Sequence, residues 1–220
     1  MRRVKGDRGM SWFRLFGRAS ATALLLLTTT HDVRAAPPPP PAAHLTPQDA
    51  AVLQRVAAYL QGVRTMTARF EQDVSKGGVA TGYLWVQRPG RMRFQYDPPN
   101  QLLMFADSFN VYYWDPELKQ MSTVALKSTP AWFLLRDPIS FTDGVTLTRF
   151  EHSGNTVRVT VVQTAEPNAG SLTMEFTENP LVLRHWTVVD QQRKVTNVSL
   201  SEVQYGMALD PNLFQYHEPK

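Results

Sequence analysis

Apolar residues recur at Ala50, Leu53, Val56, Ala57 and Leu60, the spacing of one helical face, and Gly62 ends the pattern. Thr46-Pro47 in front of it fits an N-cap followed by proline at the first helical position. The spacing predicts an amphipathic helix of about four turns that needs an apolar surface to lie on. Beyond it the period shifts to two. Met92, Phe94 and Tyr96 alternate with Arg91, Arg93 and Gln95, and Leu172, Met174 and Phe176 alternate with Thr173, Glu175 and Thr177. Extended runs are predicted over 67–74, 79–87, 91–96, 101–106, 111–114, 118–124, 145–150, 156–164, 171–177, 181–189 and 194–205. Turn residues separate them: Lys76-Gly77-Gly78, Arg88-Pro89-Gly90, Asp97-Pro98-Pro99-Asn100, 107–110 and Asp115-Pro116-Glu117.

One stretch breaks the rhythm. Over 128–141, Thr129-Pro130 again looks like a cap and first helical residue, before an apolar run at 131–135 and Asp137-Pro138. One or two short helices are expected there, and Asp210-Pro211 can start a terminal helical turn. The fold class is mainly β with helices (α+β). About eleven short strands form a large curved antiparallel sheet or open barrel, and the helices close one side.

Before the first helix, Pro37 to Pro41 form an unbroken run that favours polyproline II, so 36–44 is read as a stiff spacer. Residues 1–35 have the order of a secretory signal: a basic stretch from Arg2 to Arg18, a short apolar run from Ala19 to Thr28, then Val33-Arg34-Ala35 before Ala36. The apolar run is far short of the roughly 20 residues a spanning helix needs, although an uncleaved anchor is the alternative. A soluble monomer in the periplasm is expected, with 45–220 as its one domain.

The net charge of +4 then changes meaning. Seven of the 23 Lys and Arg and two of the 19 Asp and Glu lie in 1–35, which leaves 16 basic against 17 acidic residues. A nucleic-acid-binding surface loses its support. With no cysteine in 220 residues, disulfides, thiolate metal sites and cysteine nucleophiles are excluded, as is lipid attachment through an N-terminal cysteine.

No phosphate-cradling loop, serine elbow or paired metal-binding histidines are present. His152, His185 and His217 are far apart, His31 and His44 precede the helix, and no carboxylate pair can be placed in one site. An enzyme has no positive support, and no cofactor or metal is expected. What the chain has is apolar surplus: 83–86 and 111–114 are apolar on both faces. An internal cavity would satisfy that, and so would a two-sided core.

The stretch Gly82-Tyr-Leu-Trp-Val-Gln-Arg-Pro-Gly-Arg-Met-Arg-Phe-Gln-Tyr96, with Pro99, Ala106-Asp107 and Tyr113-Trp-Asp-Pro-Glu-Leu-Lys-Gln120, resembles the periplasmic outer-membrane lipoprotein carriers of the LolA type. Phe70-Glu-Gln72 upstream and Thr129-Pro-Ala-Trp-Phe-Leu-Leu-Arg136 downstream extend the likeness over 45–220. The resemblance implies an unclosed β-barrel over a hydrophobic cavity, capped by helices. That cavity would hold the acyl chains of lipoproteins released from the inner membrane by an ABC transporter and passed to an outer-membrane receptor. It implies that Arg88 latches the lid by hydrogen bonds to lid backbone carbonyls, here expected within 132–135. Candidates for the cavity or lid are Trp85, Met92, Phe94, Tyr96, Trp132, Phe133, Leu134 and Leu135. Two departures stand out: Asp107-Ser108-Phe109-Asn110 replaces an Asp-Gly turn, and the chain ends soon after Phe214 without the extension linked to directional transfer. The alternative is a same-fold sensor of misrouted lipoproteins that controls an envelope stress response.

Overall fold

The computed structural model describes residues 41–73, 78–100 and 102–216; the expected leader, the spacer up to residue 40 and His217 lie outside them. Helix α1 spans Pro47–Gly62 and starts on a capping box, with the Thr46 hydroxyl accepting from Asp49 N–H while the Asp49 carboxylate accepts from Thr46 N–H. It stops where Val63 turns extended (φ −75°, ψ 95°). Its buried stripe is Val52, Val56 and Leu60, flanked by half-buried Leu53 and Ala57, so the stripe starts at Val52 rather than Ala50.

Eleven strands follow. They are β1 Thr65–Asp73, β2 Val79–Gln87, β3 Arg91–Tyr96, β4 Leu103–Asp107, β5 Asn110–Asp115, β6 Gln120–Ala125, β7 Val145–Ser153, β8 Thr156–Gln163, β9 Gly170–Thr177, β10 Val182–Asp190 and β11 Val195–Tyr205. All pair antiparallel in one sheet of order β6-β5-β4-β3-β2-β1-β11-β10-β9-β8-β7. Two meanders are therefore joined through β1 and β11, and the sheet's free edges, β6 and β7, are neighbours in sequence. The segment 126–144 that links them holds a 3₁₀ turn at Leu126–Ser128 and helix α2, Trp132–Leu135. The barrel is unclosed, and this connection spans its gap.

Boundaries moved where side chains took over the backbone. Strand β6 begins at Gln120, not 118, because Asp115 Oδ1 accepts from the N–H groups of Glu117 and Leu118 and Lys119 is left-handed (φ 49°). Strand β7 runs on to Ser153, where its ladder with β8 closes at Thr156. In the insert, the Thr129 hydroxyl bonds back to Leu126 O instead of capping a helix, so α2 begins only at Trp132 and has four residues.

Alternation builds the core. Ala80, Leu84 and Val86 of β2 face inward with Met92, Phe94 and Tyr96 of β3, and Val157, Val159, Val161, Leu172, Met174 and Phe176 face them from β8 and β9. At Gly82 a Cβ would stand 2.2 Å from Gln95 O and 2.6 Å from the Phe70 ring, so only glycine lets the ring lie against the strand. On the outer face, the turn Pro211–Phe214 buries Phe214, and Arg93 donates to Leu213 O (2.9 Å).

Candidate functional site

Arg88 follows the last residue of β2, and its side chain, 2% exposed, turns in beneath the ends of two helices. From the insert, Arg136 O accepts from both Nε (3.2 Å) and Nη2 (2.8 Å). From the end of α1, Val63 O accepts from Nη1 (3.1 Å), as does Leu60 O. These carbonyls belong to helix ends, where the chain supplies too few donors of its own. The fork of five donors on one guanidinium fits both ends at once, which an ammonium group could not do. Burial pulls the Arg88 pKa down; Asp137 opposes this and Arg64 adds to it. The group stays charged because an arginine starts so high. Its nearest carboxylate, Asp137, is 3.9 Å away.

The expected acceptor was a carbonyl within 132–135. The acceptor is Arg136, one residue further on, because Leu135 O is already taken by Gly90 N–H (2.8 Å). Gly90 is left-handed (φ 78°), and its own carbonyl accepts from Ser108 N–H (2.9 Å), so the turn after Arg88 ties the insert to the 107–110 hairpin.

A second group of polar side chains joins the same two elements. Asp137 accepts from Gln61 Nε2 (2.9 Å) and from Arg64 (2.6 Å), while Gln61 Oε1 accepts from Ile139 N–H (2.7 Å). The bonds from Gln61 and Arg64 hold the Asp137 carboxyl below its usual range. Sequence pattern offered no signal for Gln61, which reads as an ordinary polar helical residue.

Below the guanidinium lies an apolar cavity of about 40 Å³, lined among others by Met66, Val86, Met92, Leu134, Leu135 and Trp186. Arg88, Met92, Leu134 and Leu135 are thus brought together at the cavity. Phe94 and Tyr96, expected at the cavity, are buried but do not line it. Phe94 is edge-on to Phe70 (4.9 Å) and Trp186 (6.2 Å), and the Tyr96 hydroxyl donates to Gln72 Oε1 (2.7 Å). Phe133 packs on Phe141 (5.1 Å), and Trp132 lies under the Arg136 guanidinium (4.6 Å), both on the other flank of the insert against β8 and β9.

Trp85 is elsewhere. Leu84 and Val86 take the inner face of β2, so Trp85 points out and stacks on Tyr83 (5.7 Å). Trp186 and Met66, which do line the cavity, come from β10 and β1; both stand at apolar positions of strands that sequence alone could not place opposite β3.

The cavity is also small. Pockets that enclose drug-sized ligands hold about 300 Å³ or more. In this conformation the apolar interior is filled by its own side chains, and the second face of 83–86 packs on no second core: Tyr83 is exposed and Trp85 stacks on it from outside.

The family model for the outer membrane lipoprotein carrier protein LolA matches residues 61–217, from the end of α1 through every strand. The chain belongs to the LolA family. The match takes in Arg88, its three carbonyl partners except Leu60, and the whole insert. This LolA-family chain is 28% identical over 187 residues to the outer-membrane lipoprotein carrier protein of Pseudomonas syringae pv. tomato, which covers 81% of this chain and 88% of the relative. It is 26% identical over 183 residues to the same-named protein of Nitrosomonas europaea, across 79% of this chain and 88% of the relative. Among solved structures it is similar to a LolA superfamily protein of Nitrosomonas europaea, at 8% identity and a TM-score of 0.44, across 79% of this chain and 99% of the other.

Proposed function

We propose that this LolA-family protein is a periplasmic chaperone without catalytic activity. It takes up the acyl chains of lipoproteins released from the inner membrane by an ABC transporter and delivers them to an outer-membrane receptor. One observation carries the reading: a buried guanidinium bonded to backbone carbonyls of both α1 and the insert, directly above an apolar interior.

The chemistry of that arrangement suits a reversible cover. Each carbonyl that Arg88 holds can be hydrated when the insert lifts, so opening trades protein hydrogen bonds for water and costs little per bond. Lifting the insert removes Leu134 and Leu135 from Met92, Val86 and Trp186 and leaves an apolar surface that acyl chains would cover. On release the same side chains repack, and the guanidinium recaptures the two helix ends. Arg88 acts here as a latch of intermediate strength: strong enough to bias the closed state, too weak to lock it.

The test is a two-stage transfer assay. Spheroplasts are incubated with the purified protein, lipoprotein is measured in the soluble fraction, and that fraction is then mixed with outer membranes. Wild type is expected to solubilise lipoprotein and pass it on; Arg88→Leu is expected to take it up and fail to complete transfer. Full transfer by the variant would remove the latch, and no solubilisation by wild type would remove the carrier.

A further inference from the structure

The two edges of the unclosed sheet are not treated alike. Strand β7 is guarded three times over: Ala43 N–H bonds its Leu147 carbonyl (2.8 Å), a bulge interrupts it between Leu147 and Arg149, and Arg149 and Glu151 charge its second half. These are the usual devices that stop a sheet edge from pairing with another chain. Strand β6, Gln-Met-Ser-Thr-Val-Ala, has no charge, no proline and no bulge against β5. Among the described residues no backbone group outside β5 bonds to it.

Its register says which groups are free. Leu126 N–H donates to Phe109 O (2.8 Å), and the ladder continues with Val124 opposite Val111, Ser122 opposite Tyr113 and Gln120 opposite Asp115. In an antiparallel ladder, hydrogen-bonded pairs alternate with non-bonded ones. Met121, Thr123 and Ala125 therefore turn their N–H and C=O outward, and the six residues offer an edge about 20 Å long. Thr123 is exposed.

This edge borders the gap that the insert spans. The insert runs from the end of β6 to the start of β7, so these two edges are the ones that flank it, and β7 is the guarded one. We propose that the outward edge of β6 pairs, strand to strand, with the extended polypeptide that follows the acylated residue of a bound lipoprotein. The inference rests on the acyl-carrier reading above. Main-chain pairing suits such a partner because it reads backbone rather than side chains, so linkers of different sequence bind alike.

Two synthetic lipopeptides with the same acylated cysteine test it, one ending after a single further residue and one continuing for eight uncharged residues. Affinities are measured by calorimetry for wild type, Thr123→Pro and Thr123→Lys, each checked for folding by circular dichroism. Proline at 123 removes an outward N–H and leaves the β5 ladder intact; lysine guards the edge if proline disturbs folding. Wild type is expected to bind the long lipopeptide about tenfold more tightly than the short one, about 1.4 kcal/mol. Both variants, and a long lipopeptide N-methylated at alternate residues, should lose that difference while short-lipopeptide binding stays unchanged. Equal binding of long and short by wild type, or an advantage that survives in both variants, overturns the proposal. So does a wild-type dimer that Thr123→Pro or Thr123→Lys converts to monomer, since a second copy would then occupy the edge. If neither lipopeptide binds wild type, the carrier reading itself fails and this inference goes with it.

Discussion

Arg88→Leu is the perturbation whose size the structure defines best. Leucine removes four hydrogen bonds to three carbonyls. Leu60 O keeps a donor, because Val63 N–H also bonds it (3.2 Å), but among the described residues no backbone N–H reaches Val63 O or Arg136 O. A buried acceptor left without a partner costs about 1–3 kcal/mol, so two cost about 2–6 kcal/mol in the closed state. In an open state water satisfies both, and the penalty disappears. The closed state therefore loses about 2–6 kcal/mol relative to the open one, and even the lower figure shifts the ratio by more than tenfold, since 1.4 kcal/mol is a factor of ten. Hydrogen exchange of backbone amides reads this directly. Gly90 and Ile139 donate to Leu135 O and Gln61 Oε1, bonds between the insert and the rest of the fold that break when the insert lifts. In the variant these amides should exchange at least tenfold faster at fixed pH, while β8 and β9 amides keep wild-type rates. Unchanged rates at both positions would mean that Arg88 does not hold the insert, and the latch would have to be abandoned.

Further outcomes follow from the same geometry. Phe94→Glu should unfold the protein or lower its melting temperature severely, because the charge would be buried beside Phe70 and Trp186, while Trp85→Glu on the outer face should fold and bind a fluorescent acyl probe like wild type. Gly82→Ala should destabilise by about 1–3 kcal/mol in denaturant melts, because its Cβ meets Gln95 O and the Phe70 ring. Asp137 has a folded pKa below its ordinary value of 3.8, so the attachment it contributes is present above that value and lost as pH falls through the folded one. Asp137→Asn should therefore speed exchange at the Ile139 amide near neutrality and converge with wild type in strong acid, read against each protein's pH-dependent intrinsic rate. Leu84→Ala, at a fully buried position of the central β2, should cost about 2–5 kcal/mol in the same denaturant melts.

Much of this molecule was legible as local pattern. The bounds of α1, with Thr46 and Pro47 at its start, and eleven strands with an insert between the sixth and seventh follow from periods of 3.6 and 2 and from turn residues, all of which act over a few positions. The resemblance carried by 82–96 marked Arg88. Three things needed the tertiary structure. The partners of Arg88 lie 25, 28 and 48 residues away, at helix ends that the pairing of Thr65 with Gln87 and the path of the insert bring together. The inward face of β2 could not be read from Tyr83-Leu84-Trp85-Val86, since a strand apolar on both sides has a period but no sign, and it was Phe70 against Gly82 and Met92 opposite Val86 that put Trp85 outside. The free space under the insert is a small difference between large packed volumes, so no composition predicts it; the volume is about 40 Å³ because Met66, Met92, Leu135 and Trp186 converge from four separate elements.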